Sequence, residues 1–182
     1  MTLIALTGKA GSGKDTAAKL LAKGPKGYHR LGYHRLALAD PLKDAAAAIF
    51  GLSRESMDDP ALKEAQVEYW GMSRREMLQQ LGDAVREKFG DDVFVKRWEL
   101  DYNHFNGLNV VVTDCRDDIE ADRFRELGGV IVAMMRGAGL AGSTGTHWSE
   151  RGLSAPPDLT IDNTGDMAQL ESEVQRILKE IR

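Results

Sequence analysis

The chain has 182 residues, with 24 Lys and Arg against 28 Asp and Glu, a formal charge of −4 and 42% apolar residues. That length suits one domain with a proper hydrophobic core, and the composition excludes a disordered chain. The mild negative charge argues against broad non-specific binding to nucleic acid, and the single cysteine, Cys115, excludes an internal disulfide or a multi-cysteine zinc site.

The longest apolar stretches, such as Val130–Met135, fall far short of the ~20 residues a membrane span needs. Leu3–Leu6 is a short apolar run, read as a buried strand. The N-terminal stretch Thr2–Thr7 runs straight into a glycine loop rather than a cleavage site, so the expected setting is cytoplasmic. A helix is predicted from Lys14 to Lys23, then a Gly- and Lys-rich loop to Gly32, then a second strand over Arg35–Ala39. Asp40-Pro41 has the form of an N-cap with proline at the first helical position, opening a helix through Ile49. From Ser53 to His104 no strand is predicted. The clearest helix there, Ser73 to Lys88, puts Met77, Leu78, Leu81 and Val85 on one stripe and Arg75, Gln79, Gly82 and Arg86 on a neighbouring one. Leu108–Thr113 is a β-branched strand, followed by a helix over Asp117–Leu127 and a strand over Val130–Met135. The segment 137–152 is rich in Gly, Ser and Thr and reads as a loop. Asp158–Ile161 is a short last strand and Asp166–Ile181 a closing amphipathic helix. Strands alternating with helices imply a parallel sheet covered on both faces.

Gly8-Lys9-Ala10-Gly11-Ser12-Gly13-Lys14 fits the phosphate-loop spacing G-x-x-x-x-G-K, placed after the first strand and opening a helix. Glycines are needed because successive N–H groups must turn inward at backbone angles a side chain forbids. The helix N-terminus adds its dipole, and Lys14 is expected to reach the β- and γ-phosphates. Asp15 stands where the motif normally has Ser or Thr as a magnesium ligand, and Thr16 follows. Either Asp15, through water, or the Thr16 hydroxyl is a candidate for the ion. The loop alone fits a kinase, a GTPase switch or a motor ATPase, but the chain has no Asn-Lys-x-Asp segment to read guanine.

The remaining segments carry a resemblance. Gly8–Thr16 with its Gly-Lys-Asp-Thr ending, Ala39–Lys43, Arg75–Gly82, Gly90–Val95, Val112–Arg116, Glu120–Asp122, Leu127–Gly129, His147-x-Ser149-Glu150 and Asp158…Ile161-Asp162-Asn163 occur in order. Together they resemble the phage-type deoxynucleoside monophosphate kinases of the P-loop nucleoside and nucleotide kinase superfamily. The resemblance implies a P-loop, three-layer α/β sandwich with a sheet of about five strands. It also implies one domain with a helical monophosphate-binding region over 41–104 and a glycine-rich lid over 137–155. The implied reaction is ATP- and Mg²⁺-dependent phosphorylation of a dNMP, in the cytoplasm of an infected bacterial host. Asp83-Ala84 stands where the family often has Thr-Glu, and Asp117-Asp118-Ile119-Glu120 where it has Phe-Pro-Asn-Glu after the arginine. The Gly-Lys-Asp ending also looks like phosphomevalonate kinases, and the layout is similar to dephospho-coenzyme A kinases. A nucleotide-binding switch without transfer is the alternative of another class.

Bringing two polyanions together in a negative chain demands local cations. Arg116, just past the Val110–Thr113 strand, is assigned to a substrate or transferred phosphate. Beside it, Asp114 either holds a magnesium-bound water, orients Arg116, or caps the following helix. Arg136 ends the Val130–Met135 strand and is the lid arginine, with Arg151 a second candidate. For the acceptor, Arg75 is assigned to the monophosphate and Gln79 to base or sugar, with Gly82 leaving room for the ligand. Lys43 is assigned to substrate phosphate, and Asp40 to substrate or to a plain N-cap. Trp148 is expected to stack on a base and Glu150 to accept from its amino groups, with Trp70 a rival stacking residue. The four histidines show no metal-ligand spacing and Cys115 reads as inert packing. The expected partner is a small-molecule dNMP, with no nucleic acid or membrane; a homodimer is left open.

Overall fold

The computed structural model describes residues 1–24, 32–105, 107–136 and 152–181. In chain order its first elements are β1 (Leu3–Thr7), α1 (Lys14–Lys23), β2 (Tyr33–Arg35), α2 (Asp40–Phe50), α3 (Arg54–Asp58) and α4 (Pro60–Lys63). A small hairpin, β3 (Gln66–Val67) and β4 (Met72–Ser73), leads into α5 (Arg74–Phe89) and α6 (Val93–His104). The chain ends with β5 (Asn109–Val112), α7 (Asp118–Glu126), β6 (Val130–Met135), β7 (Leu159–Asp162) and α8 (Met167–Glu180). Two compact units result, one of Met1–Ala37 with Glu99–Arg182 and one of Leu38–Trp98.

In the sheet unit, five strands lie in the order β2-β5-β1-β6-β7, and every pairing is parallel. Every residue of β1 is buried, as a central strand covered on both faces requires. Ile4 and Leu6 join Val111, Val132, Met134 and Ile161 beneath α1 and α8, which contribute Ala17, Leu21, Leu170, Val174 and Ile177. On the other face α7, with Ala121 and Phe124 buried, packs against β1 and β6. The expected α/β architecture of about five parallel strands with helices on both faces is therefore present. The chain moves from β1 to one side of the sheet and from β5 to the other, so the order reverses at β1. Ligands of open parallel sheets bind outside the carboxyl ends of the strands at such a reversal. Among the described residues, no helix is long and apolar enough to cross a membrane.

The second strand differs from expectation. The ladder runs over Tyr33–Arg35, with Leu36 N–H still donating to Val111 O at 3.0 Å, rather than over Arg35–Ala39. Backbone pairing with β5 decides the span; Ala37 and Leu38 are buried without extending it.

The helical unit is organised by α5. Ser73 is its N-cap in a reciprocal box: Ser73 Oγ accepts from Glu76 N–H, while Glu76 Oε2 accepts from Ser73 N–H at 2.7 Å. Met77 is fully buried, and Leu78 and Leu81 pack on Ala46, Ala47 and Met57. The hairpin β3–β4, paired at Gln66–Ser73 and Val67–Met72, corrects the expectation that 53–104 holds no strand. Two residues per strand are too few for a periodic signal.

Candidate functional site

The phosphate loop leaves β1 at the carboxyl edge of the sheet and enters α1 through Gly13, whose φ is +99°. A Cβ on Gly13 would lie 2.3 Å from Asn163 Nδ2, and one on Gly8, at φ +132°, would lie 2.8 Å from Met134 O. Both positions therefore need glycine for conformation and for space. Ser12 N–H donates to Lys9 O at 3.1 Å, closing a turn. Lys14 Nζ donates to Gly8 O at 2.7 Å and Lys9 O at 2.9 Å, so the ammonium is held against its own loop. Ser12 is 5% exposed, yet among the described residues its Oγ is the one buried side-chain polar atom with no hydrogen-bond partner. Leaving such a hydroxyl unmatched costs about 1–3 kcal/mol, and an anion in the cradle removes that cost.

The neighbouring strands bring their own groups to the same edge. After β5, Thr113 is buried and Asp114 and Arg116 are half-buried. Arg116 N–H donates to Glu120 Oε2 at 2.8 Å, and Asp117 Oδ1 accepts from Glu120 N–H at 2.9 Å. This capping box starts α7 and fixes the backbone at Arg116. It also corrects the reading of Asp114 as an N-cap: Asp117 holds that position. Of the two acidic residues by which the sequence departs from the family pattern, Asp117 is the cap. Cys115 is buried, and burial together with the Glu120, Asp114 and Asp117 carboxylates pushes its thiol well above the ordinary value. It is therefore an inert packing residue. After β6, Arg136 is exposed and its Nη1 donates to Gly11 O at 3.3 Å. After β7, Asn163 is buried and its Nδ2 donates to Ser12 O at 2.8 Å. Sequence reasoning gave Asn163 no role, because nothing local marks a side chain that braces a loop 151 residues away.

The candidate ligands for a magnesium ion are all hard oxygen donors. No cluster of three or more His, Cys, Asp or Glu able to hold a metal is present among the described residues. Asp15 and Thr16 at the start of α1 and Asp114 after β5 offer carboxylates and a hydroxyl. Such a sparse hard-oxygen set suits Mg²⁺ when phosphates and water complete the shell.

In the helical unit, Arg75, Asp40 and Lys43 are already engaged. Arg75 Nε donates to Glu64 Oε1, and Gln79 lies half-buried one turn further along α5. Gly82 is buried, and a Cβ there would meet Leu42 Cδ2 at 3.3 Å. The expectation that Gly82 makes room for a ligand is thus corrected: its missing side chain lets α5 approach α2. Arg86 Nη1 donates to Asp91 O at 2.7 Å and its guanidinium lies 5.1 Å from the Phe94 ring centroid. Asp40 is the first residue of α2 and Ala39 its cap, without a capping side chain, so the plain N-cap reading of Asp40 is also corrected. Asp40 instead accepts from Arg54 at 2.9 Å, while Lys43 pairs with Asp58 at 2.7 Å. Arg54, which the sequence did not single out, also binds Asp44 at 2.7 Å and Asp58. Burial pushes the Asp58 carboxyl up, but Lys43 and Arg54 outweigh it and hold the group below its usual range. Trp70 is 38% exposed, donates Nε1–H to Phe50 O at 3.0 Å and stands edge-on to Phe50 and Tyr69. Trp148, Glu150, Arg151 and most of the expected lid, 137–151, lie outside the described residues.

Comparison with known proteins adds to this geometry. Residues 68–174 match the family model described as deoxynucleotide monophosphate kinase. A putative deoxynucleotide monophosphate kinase of Acanthamoeba polyphaga mimivirus is 33% identical over 190 residues, covering 96% of this chain and 94% of that protein. The deoxynucleotide monophosphate kinase of Enterobacteria phage T4 is 26% identical over 247 residues, covering 98% and 99%. Among solved structures, TT1252 from Thermus thermophilus superposes with a TM-score of 0.50 at 18% identity, covering 100% of this chain and 98% of that one, a likeness of fold. The family model begins beyond the phosphate loop, whereas both viral relatives align along nearly the whole chain.

Proposed function

The chain belongs to the deoxynucleotide monophosphate kinase family, and from that premise we propose that it transfers the γ-phosphoryl group of ATP to a deoxynucleoside 5′-monophosphate, yielding a dNDP and ADP. The observation that carries the reading on this chain's own residues is the glycine cradle with its unmatched buried Ser12 hydroxyl at the carboxyl edge of the sheet. The acceptor oxygen belongs to a phosphate that is already anionic near neutral pH, so no strong base is required. What the residues supply is alignment and charge neutralisation. The loop N–H groups and the α1 N-terminus hold the triphosphate, and Lys14 exchanges the Gly8 and Lys9 carbonyls for phosphate oxygens. Arg116 and Arg136 neutralise the transferring group, each from the end of its own strand. Arg136 gives up one 3.3 Å contact to Gly11 O to do so. Asp15 or Thr16, with Asp114, would hold Mg²⁺, which would supply further neutralisation of the phosphate charge.

The helical region is assigned to the acceptor. Arg75 takes the monophosphate by exchanging the Glu64 carboxylate for a dianion, and Gln79 reads base or sugar. Asp40 and Lys43 contribute by fixing α2 through Arg54 and Asp58. A hydroxyl acceptor, as in a dephospho-coenzyme A kinase, would favour a free carboxylate base; Asp40, the candidate for it, is paired with Arg54.

The test is a panel of acceptors with ATP and Mg²⁺: the deoxy- and ribonucleoside monophosphates, dephospho-coenzyme A and phosphomevalonate. Diphosphate product is resolved by phosphorus NMR. Transfer to at least one dNMP, abolished by Lys14→Met, is the expected result. Transfer to another acceptor and to no dNMP overturns the proposal, and ATP binding without any transfer favours a switch module.

A further inference from the structure

Asn163 stands just beyond β7 and takes no part in the transfer step described above. The residue is 8% exposed, its side-chain Nδ2 donates to Ser12 O at 2.8 Å, and its backbone N–H donates to Met135 O at 2.7 Å. The residue is thus tied through its backbone to the end of β6 and through its side-chain amide to the phosphate loop. It also occupies the space a Gly13 side chain would need, since a Cβ there would lie 2.3 Å from Nδ2.

We propose that Asn163 is a positioning residue that sets the orientation of the Ser12–Gly13 peptide, so that the Gly13 N–H faces the triphosphate; the proposal rests on the kinase reading above. In a trans peptide the carbonyl and the following N–H point in opposite directions. With the Ser12 carbonyl drawn to the buried Asn163 amide, the Gly13 N–H is turned away from Asn163. Glycine gives this peptide little resistance to flipping, because both signs of φ are open to it. A flip would aim the Ser12 carbonyl, with its partial negative charge, at the phosphates. Asparagine rather than aspartate suits the position because only an N–H donor rewards the anion-binding orientation. A carboxylate would accept from the Gly13 N–H and reward the flipped one.

The experiment uses the full chain. Asn163→Ala and Asn163→Asp are compared with wild type in steady-state kinetics, with ATP and dNMP varied separately. Loss of one charge-assisted contact to the triphosphate raises the KM for ATP about tenfold or more in the alanine variant, and more in the aspartate variant. The KM for dNMP stays within about twofold, and a smaller folded fraction alone would lower the rate without raising either constant. An unchanged KM for ATP, an equal rise in both constants, or aspartate milder than alanine overturns the proposal. Should neither variant fold, the wild type decides: adding ATP must move the Gly13 amide proton downfield, and a silent Gly13 overturns the orientation. If the wild type transfers to no dNMP, the kinase reading fails by itself, and the Gly13 resonance still tests the peptide.

Discussion

Replacing Gly13 by alanine tests the packing of the cradle against the end of β7. Two terms act. A side chain at φ +99° costs about 1–2 kcal/mol in backbone strain. The new Cβ would also sit 2.3 Å from Asn163 Nδ2, so the amide must retreat and surrender its 2.8 Å bond to Ser12 O. That adds about 0.5–1.5 kcal/mol for the bond and more for a buried group left unmatched, so the total is about 2–4 kcal/mol. Gly128, after α7 in the same unit, is the control, with φ +76° and nothing within 4 Å of an added Cβ. Gly128→Ala carries only the strain, and the entropy that alanine removes from the unfolded chain is common to both variants. Urea unfolding followed by circular dichroism should therefore place Gly13→Ala about 1–2 kcal/mol below Gly128→Ala. Adding Asn163→Ala to Gly13→Ala should relieve the collision, so the double variant is more stable than the sum of the two losses predicts. Equal losses for Gly13→Ala and Gly128→Ala, or strict additivity in the double variant, would refute the reasoning.

Three further outcomes follow from the helical unit. Gly82→Ala gains about 1 kcal/mol of helix propensity but moves Leu42 by a few tenths of an ångström, and so stays near neutral in stability with an unchanged KM for dNMP; Gly82→Val costs about 1–3 kcal/mol. A raised KM in the alanine variant at wild-type stability would restore the view of Gly82 as a ligand-facing gap. The Ser73 backbone and hydroxyl hold the Glu76 carboxyl below its ordinary 4.5. Its contribution is therefore complete above that value and is lost as pH falls through the lower folded-state value, so Glu76→Gln should flatten the acid limb of the stability profile below pH 4.5. An identical acid limb would refute it. Glu64→Gln removes one carboxylate from Arg75 and should lower the KM for dNMP a few-fold, read by initial rates; a raised KM would show that Glu64 positions Arg75 rather than competing for it.

The phosphate loop and α1 were legible because backbone geometry forces a fixed glycine spacing that survives as a motif. Strand β6, read as Val130–Met135, was legible because both of its faces are covered and the apolar run is continuous. The helix expected over Asp117–Leu127 forms as α7, but its cap is Asp117 rather than Asp114, because the cap depends on where the chain turns after β5. Asp40 lost the cap of α2 for a similar reason: the first helical turn begins one residue earlier, and its carboxylate meets Arg54, fourteen residues on. Gly82 was placed correctly on its helix stripe and given the wrong neighbour, since a helical wheel does not say that α2 lies against it. Periodicity reports which residues share a face, not what that face touches.

The groups proposed for the two substrates differ in how they are held, and that difference has a chemical consequence. Lys14 and Arg136 donate to carbonyls of the phosphate loop itself, and the loop is braced from below by a buried amide. These carbonyls are neutral acceptors within a few residues of the anion's seat, so a triphosphate that takes their place exchanges dipoles for charges. Preorganised donors of this kind favour the shape of the triphosphate over its charge alone. Arg75, by contrast, is held by Glu64, a carboxylate 63% exposed, in a pair worth about 0–1 kcal/mol. So weak a pair yields to a monophosphate dianion, whereas a nucleoside brings no charge to replace the carboxylate. Selection for the phosphate of the acceptor can then rest on competition between two anions for one guanidinium. Such a pair leaves no spacing rule in the sequence, because Glu64 and Arg75 belong to different elements and meet only in the folded unit.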